Sequence, residues 1–233
     1  MPAVVGVEIL KKNLSERSKT MYNWIVFITG IASGVALLVL RSASPWFGVF
    51  QSYFAGFVFW MLVVVIPEIR RKNAVYSFMV NRYRDFRLDL INNFLRAAGA
   101  WEHGRAEELL DPKKFRAFFG RKNEPFKTEL IYAAESGIDS CPAFLGEIQV
   151  SFKHFSDEID FAMSKIVSDD RRMYEELNFL KKRLYDLFHL SCYKGDPSKY
   201  LGQFFWNTLG WWNEVYGDRP SDWIADAIEK LRR

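Results

Sequence analysis

Cysteine and histidine are scarce in this 233-residue chain, which holds two cysteines, Cys141 and Cys192, and three histidines, His103, His154 and His189. Two cysteines cannot build a structural zinc site or a disulfide framework. Phosphate-cradling, dinucleotide-binding and metalloprotease signatures are missing, as are a G-x-S-x-G elbow and C-x-x-C pairs. Alternating runs of strand type are missing too, and so is any internal repeat. The clearest absence is of charge: residues 21–40 and 46–66 hold no Asp, Glu, Lys or Arg.

What fills those two stretches is apolar and aromatic. At a rise of 1.5 Å per residue each makes a helix of roughly 30 Å, the thickness of a bilayer core. The connection between them, residues 41–45, is short enough to demand a tight antiparallel hairpin. The first stretch follows a charged leader of 20 residues and exceeds the usual h-region of about 7–15 residues in a cleaved signal. A membrane anchor is therefore expected. With no ionisable side chain inside either span, a proton relay or ion pathway is not expected.

Basic residues set the expected orientation. Lys11, Lys12, Arg17 and Lys19 precede the first span, and Arg70, Arg71, Lys72, Arg82, Arg84 and Arg87 follow the second. The connecting loop has only Arg41. The positive-inside rule places both termini in the cytoplasm. Tyr22 and Trp24 suit the inner interface and Trp46 the outer one. Residues 1–87 carry 11 basic and 4 acidic groups, whereas the remainder carries 21 basic and 24 acidic. The sequence pI near 9.0 thus reflects a collar against anionic lipid, with Arg70, Arg71 and Lys72 as headgroup contacts. Arg82, Arg84 and Arg87 lie too close to the membrane to argue for direct nucleic-acid binding.

Small residues form two stripes inside the hairpin, Gly30 and Gly34 on the first span and Gly48, Ser52 and Gly56 on the second. Folding the hairpin about Ala43 sets Gly34 opposite Ser52 and Gly30 opposite Gly56. Small residues let helices approach closely in lipid. The expectation is packing within the hairpin, with exchange of the same stripes between chains as the route to self-association.

Beyond Pro67 the periodicity is helical. Val75, Met79, Tyr83, Phe86, Leu90, Phe94 and Ala97 form one stripe on a long amphipathic helix, which Gly99 and Gly104 end. Asp111 and Pro112 open a short helix that Gly120 closes. Another runs from 124 to about 136, stopped by Gly137. Ser140, Cys141 and Pro142 open a longer one with the stripe Leu145, Ile148, Phe152, Phe155, Ile159, Met163 and Ile166. After a break at Ser168, Asp169 and Asp170, the stripe Met173, Leu177, Leu180, Leu184 and Leu187 predicts the second arm of an αα-hairpin. A turn at residues 194–197 leads to a helix from about Ser198, and Ser221 caps a last helix.

Residues 200–223 hold eight aromatics. Their simplest use is a bundle core. The other reading is a docking face for a cytoplasmic protein, carried by Trp206, Trp211, Trp212 and Trp223, because Trp and Tyr dominate interface hot spots; contact with the membrane interface is a third use. His154, Asp157 and Glu158 share one helix face but offer too few ligands for a metal site. Cys141 and Cys192 lack a histidine partner for nucleophilic chemistry. No cofactor, metal or catalytic residue is expected, and the chain reads as a non-enzyme.

The reading is an all-α protein: a cytoplasmic segment (1–20), a two-helix transmembrane hairpin (21–66), a juxtamembrane amphipathic helix (67–98) and a cytoplasmic helical bundle (99–233), in the cell inner membrane. This architecture, mostly over residues 11–98, resembles the two-transmembrane effectors of bacterial phage-defence systems, including those that accompany retrons. The resemblance implies a toxin-like effector restrained by a cytoplasmic partner, such as a nucleoprotein sensor, until infection. The other reading is an anchored adaptor or scaffold that recruits a cytoplasmic partner.

Overall fold

The computed structural model describes residues 24–39, 46–120, 122–124, 127–140, 142–166, 171–189, 197–213, 217–218 and 221–232. It divides into two compact units, Met1–Arg71 and Lys72–Arg233. Among the described residues the fold is all-helical apart from two minimal ribbons. The expected breaks at Ser168, Asp169 and Asp170 and at residues 194–196 lie outside the described residues.

In the first unit, α1 (Trp24–Val39) runs antiparallel to α2 (Phe47–Trp60). Phe27 meets Phe57 edge-on at 6.1 Å, and the Thr29 and Tyr53 hydroxyls share a hydrogen bond of 2.6 Å. A π-helical turn, Met61–Val65, follows α2, and the Ile66 N–H donates to the Met61 carbonyl five residues back. Pro67 explains the wider turn. It has no N–H, and its ring would clash with the carbonyl four residues earlier, so the helix loosens instead of breaking. Helix α3 (Ile66–Ala97) continues from that turn. Together these segments make one helix, Phe47–Ala97, long and apolar enough to cross a membrane, while α1 is a shorter apolar helix.

The second unit is built on α3. Its stripe from Val75 to Phe94 is buried as the spacing predicts, while Ala97 is only partly so. Ile91, Asn93 and Leu95 are buried as well, because the C-terminal half of α3 is enclosed on more than one side. A left-handed Gly99 (φ 63°) ends the helix. Its N–H reaches the Arg96 carbonyl and the Ala100 N–H reaches that of Leu95, a Schellman closure. Gly104, expected as part of that stop, instead precedes the short α4 (Arg105–Glu108), with φ at 82°. Asp111 caps α5 (Pro112–Phe119), accepting from the Lys113 and Lys114 N–H groups.

A bulged ribbon joins β1 (Lys122–Glu124) to β2 (Lys127–Thr128) before α6 (Glu129–Ser140). Helix α6 therefore starts later than the sequence predicts and runs through Gly137. The glycine is a seat for a ring: a Cβ there would lie 2.7 Å from Phe144. Helix α7 (Pro142–Lys165) lies antiparallel to α3. Ring contacts pair Phe78 with Phe161, Phe86 with Phe155 and Phe94 with Phe144. Phe144 and Ala162 are buried where Leu145 and Met163 are only partly so.

Helix α8 (Arg171–Phe188) buries all five residues of its leucine-rich stripe and returns along α7 as expected. Tyr174 donates to the Ile166 carbonyl at 2.6 Å, and the Gln149 amide donates to the Phe188 carbonyl at 2.7 Å. Helix α9 (Pro197–Thr208) inserts Phe205 against Phe94 at 4.3 Å. A second ribbon pairs β3 (Trp212–Asn213) with β4 (Gly217–Asp218). The chain closes with α10 (Trp223–Glu229) and a 3-10 turn, Lys230–Arg232. Asp222, not Ser221, caps α10, accepting from the Ile224 and Ala225 N–H groups. Ser221 instead donates to Asp226 at 2.5 Å.

Candidate functional site

Two places in the molecule carry features that packing alone does not require. One is the apolar surface of the hairpin, and the other is a buried polar cluster on α3.

On the hairpin, Gly30 and Gly34 do lie in the contact between helices, but not against small residues. A Cβ on Gly30 would lie 2.4 Å from the ring of Phe57, and one on Gly34 would lie 2.8 Å from Phe54. Ring-into-notch packing thus replaces the expected pairing of Gly30 with Gly56 and Gly34 with Ser52. The depth is close to the expected register, but the face is different. On α2 the inward positions are Phe47, Phe50, Phe54 and Phe57, all half-buried, while Gly48, Ser52 and Gly56 are exposed. No atom lies within 4 Å of a Cβ built on Gly48 or Gly56. The reason is steric: the rings of Phe54 and Phe57 fill the space between helices better than a stripe that offers no side chain.

The outer surface of the hairpin is strongly apolar. Leu38 is 87% exposed and Phe59 65%, and Gln51 is exposed on the same helix as the small stripe. Exposed apolar surface of this extent is the kind that marks contact with lipid or with another protein. Of the three residues expected to contact headgroups, Arg70 and Arg71 are exposed and Lys72 is half-buried. Arg71 also holds Glu68 at 2.6 Å.

The cluster on α3 joins distant parts of the second unit. Tyr83 donates its hydroxyl to Asp222 Oδ2 at 2.7 Å. One turn along α3, Arg87 Nη1 approaches the same oxygen at 3.9 Å, Nη2 donates to the Leu110 carbonyl at 2.5 Å, and the guanidinium lies 5.7 Å from the Tyr83 ring. Asp222 is 5% exposed. Burial raises its carboxyl above the ordinary range, against the pull of the Tyr83 hydroxyl, Arg87 and the α10 N–H groups. Burial, with the nearby Asp222 charge, also holds the Tyr83 phenol well above its usual value. Arg87 Nε is buried without a hydrogen-bond partner.

Sequence reasoning missed this cluster. One signal was available: Arg87 stands four residues after Tyr83 on the inward side of the α3 stripe, and an arginine there requires a buried acceptor.

None of the four tryptophans expected at a docking face is an exposed side chain. Trp206 crosses Phe115 edge-on at 5.8 Å and meets Trp212 at 6.4 Å. Trp223 meets Phe179 at 6.0 Å. Trp211 takes a left-handed backbone, φ 51°, and its indole nitrogen is buried without a partner, as are Thr208 Oγ1 and Asn207 Oδ1 nearby. Tyr200, at 51%, is the most exposed described aromatic of the 200–223 segment.

Among the described residues no group of His, Cys, Asp and Glu is arranged to hold a metal ion. Asp157 takes Lys153 at 2.8 Å and Glu158 takes Arg82 at 3.2 Å. Burial raises the carboxyl of Glu158, with Arg82 and His154 opposing. Comparisons with models of protein families, with curated proteins and with solved structures find nothing that matches the chain.

Proposed function

We propose that this chain is a membrane-anchored effector, toxin-like in phage defence, that perturbs the inner membrane when it is released or clustered. The observation that carries the reading is the unused face of α2. The hairpin closes on its own aromatic rings, which leaves Gly48, Ser52 and Gly56 outward. Small residues on a lipid-facing surface permit close approach of a second helix. Each hairpin would therefore be complete by itself and still able to assemble with others. Two spans with both termini cytoplasmic follow from the basic flanks, with Arg70, Arg71 and Lys72 against anionic headgroups. A cytoplasmic partner would hold the silent state, and no catalysis is involved: the buried charged pair between α3 and α10, Arg87 with Asp222, serves packing and capping.

The test is inducible production in bacterial cells with a dye that reports membrane potential. Rapid depolarisation, and its loss in Gly56→Ile, is expected. Healthy cells with an intact potential would favour the second reading, an anchored adaptor or scaffold. That reading draws support from exposed rings on the helical body, Phe179 at 52% and Tyr200 at 51%, which are available to a recruited protein.

A further inference from the structure

The C-terminal strap, residues 222–232, is fixed to α3 at two points. At one end Asp222 accepts from Tyr83. At the other, the Arg232 guanidinium lies 5.8 Å from the Tyr76 ring, and Glu229 stands near enough to raise the Tyr76 phenol above its ordinary value. Tyr76 and Tyr83 are two turns apart, and Met79 between them is fully buried. The strap therefore runs antiparallel to α3 over the stretch between these tyrosines. Its other side is held by α8, through Trp223 on Phe179 and Lys230 paired with Glu176.

We infer that this strap is a latch that leaves α3 as one unit, uncovering part of the apolar stripe of the same helix that carries the membrane-spanning stretch. Two observations lead there. Beside its buried Ile224, Ala227, Ile228 and Leu231 the strap carries a charge into the interior: an apolar residue at position 222 would pack without the desolvation cost of a carboxylate. The polar partners are interdependent. Loss of the Tyr83 hydroxyl or of Arg87 leaves a buried charge short of compensation, and Arg87 Nε already lacks a partner. A contact of this kind is either fully made or abandoned, which is the behaviour of a two-state element. What is uncovered matters because α3 is part of the continuous helix Phe47–Ala97. The link from latch to membrane damage rests on the effector reading above; the opening itself does not.

Hydrogen exchange on the full chain in lipid nanodiscs tests it, with Tyr83→Phe as the principal variant and Asp222→Asn as the second. Phenylalanine keeps the ring in place, and asparagine keeps the helix cap, so both should fold. The expected result is that peptides covering 222–232 and 75–87 exchange together, faster than the α7–α8 hairpin. In either variant both should speed up about tenfold while the hairpin is unchanged. Exchange of the strap at the same rate as α7, or acceleration of all peptides alike, would overturn the latch. Production of the same variants in cells separates the two proposals. Selective opening with a lowered threshold for depolarisation supports both. Selective opening without any effect on the membrane keeps the latch and removes the effector reading.

Discussion

Tyr83 and Asp222 stand 139 positions apart in sequence, yet one hydroxyl and one carboxylate oxygen join them at 2.7 Å. The same carboxylate starts the last helix. A single buried side chain therefore both begins α10 and fixes where α10 meets α3.

That arrangement has a pH dependence whose sign follows from the direction of the shift. Burial raises Asp222 above its ordinary value, so the folded protein binds this proton more tightly than the unfolded chain does. The stability it contributes is complete below the unfolded value of 3.8 and declines as pH rises through the folded value. Asp89 and Glu158, also raised by burial, act in the same direction. Thermal melts of the wild type and Asp222→Asn at a series of pH values from 3.5 upward should differ in slope just above 3.8. Parallel curves would show that Asp222 does not titrate with folding.

Glycines on the two hairpin helices should respond oppositely to the same substitution. Gly30→Ala drives a methyl into the Phe57 ring, an overpacking that typically costs about 1–3 kcal/mol. Gly56→Ala meets open space and should change hairpin stability by no more than about 0.5 kcal/mol. Denaturant titration of the detergent-solubilised protein, followed by Trp24 and Trp60 fluorescence, measures both. Equal losses would contradict the ring-into-notch packing.

Orientation is open to labelling. In a chain whose Cys141 and Cys192 are replaced by serine, Ser42→Cys should react with a membrane-impermeant maleimide added outside intact cells, and Lys12→Cys should not. The reverse pattern would place the helical body on the outer side.

Trp206 separates packing from docking. Its ring lies against Phe115 and Trp212, and a buried aromatic truncated to alanine typically costs about 3–5 kcal/mol; half-exposure places Trp206→Ala near the lower figure. Tyr200→Ala, on a half-exposed ring, should leave the melting temperature nearly unchanged. If both variants melt like the wild type, and Trp206→Ala alone loses a co-purifying protein, the tryptophan belongs to an interface.

Where the sequence was legible, one strong period ruled. The stripes of α3 and α8 appear as spaced, and Asp111 with Pro112 marks the start of α5, because these signals are local and have one meaning. Other signals had two. Ser221 and Asp222 are both residues of capping type, and it is the second that accepts from the α10 N–H groups while Tyr83 reaches it from α3. Gly137 looks like a stop because glycine often ends helices, but Phe144 rests on it from the next helix. Hairpin depth could be read from loop length to within two residues. Rotation about the helix axis could not, since it is decided by where the rings of Phe54 and Phe57 fit. The buried cluster was hidden because its parts come from both ends of the second unit.

Glycine serves repeatedly here as the floor for a ring: Gly30 under Phe57, Gly34 under Phe54 and Gly137 under Phe144. Such a pair is one mutational unit. A change from glycine to alanine is tolerated only after the ring has been reduced, and the reduced ring leaves a void until the alanine arrives. Neither step is neutral alone, so the two positions should change jointly or stay fixed. Among descendants of this chain, an alanine at 30 should travel with an aliphatic residue at 57, while residues 48 and 56 should drift independently of any ring inside the hairpin.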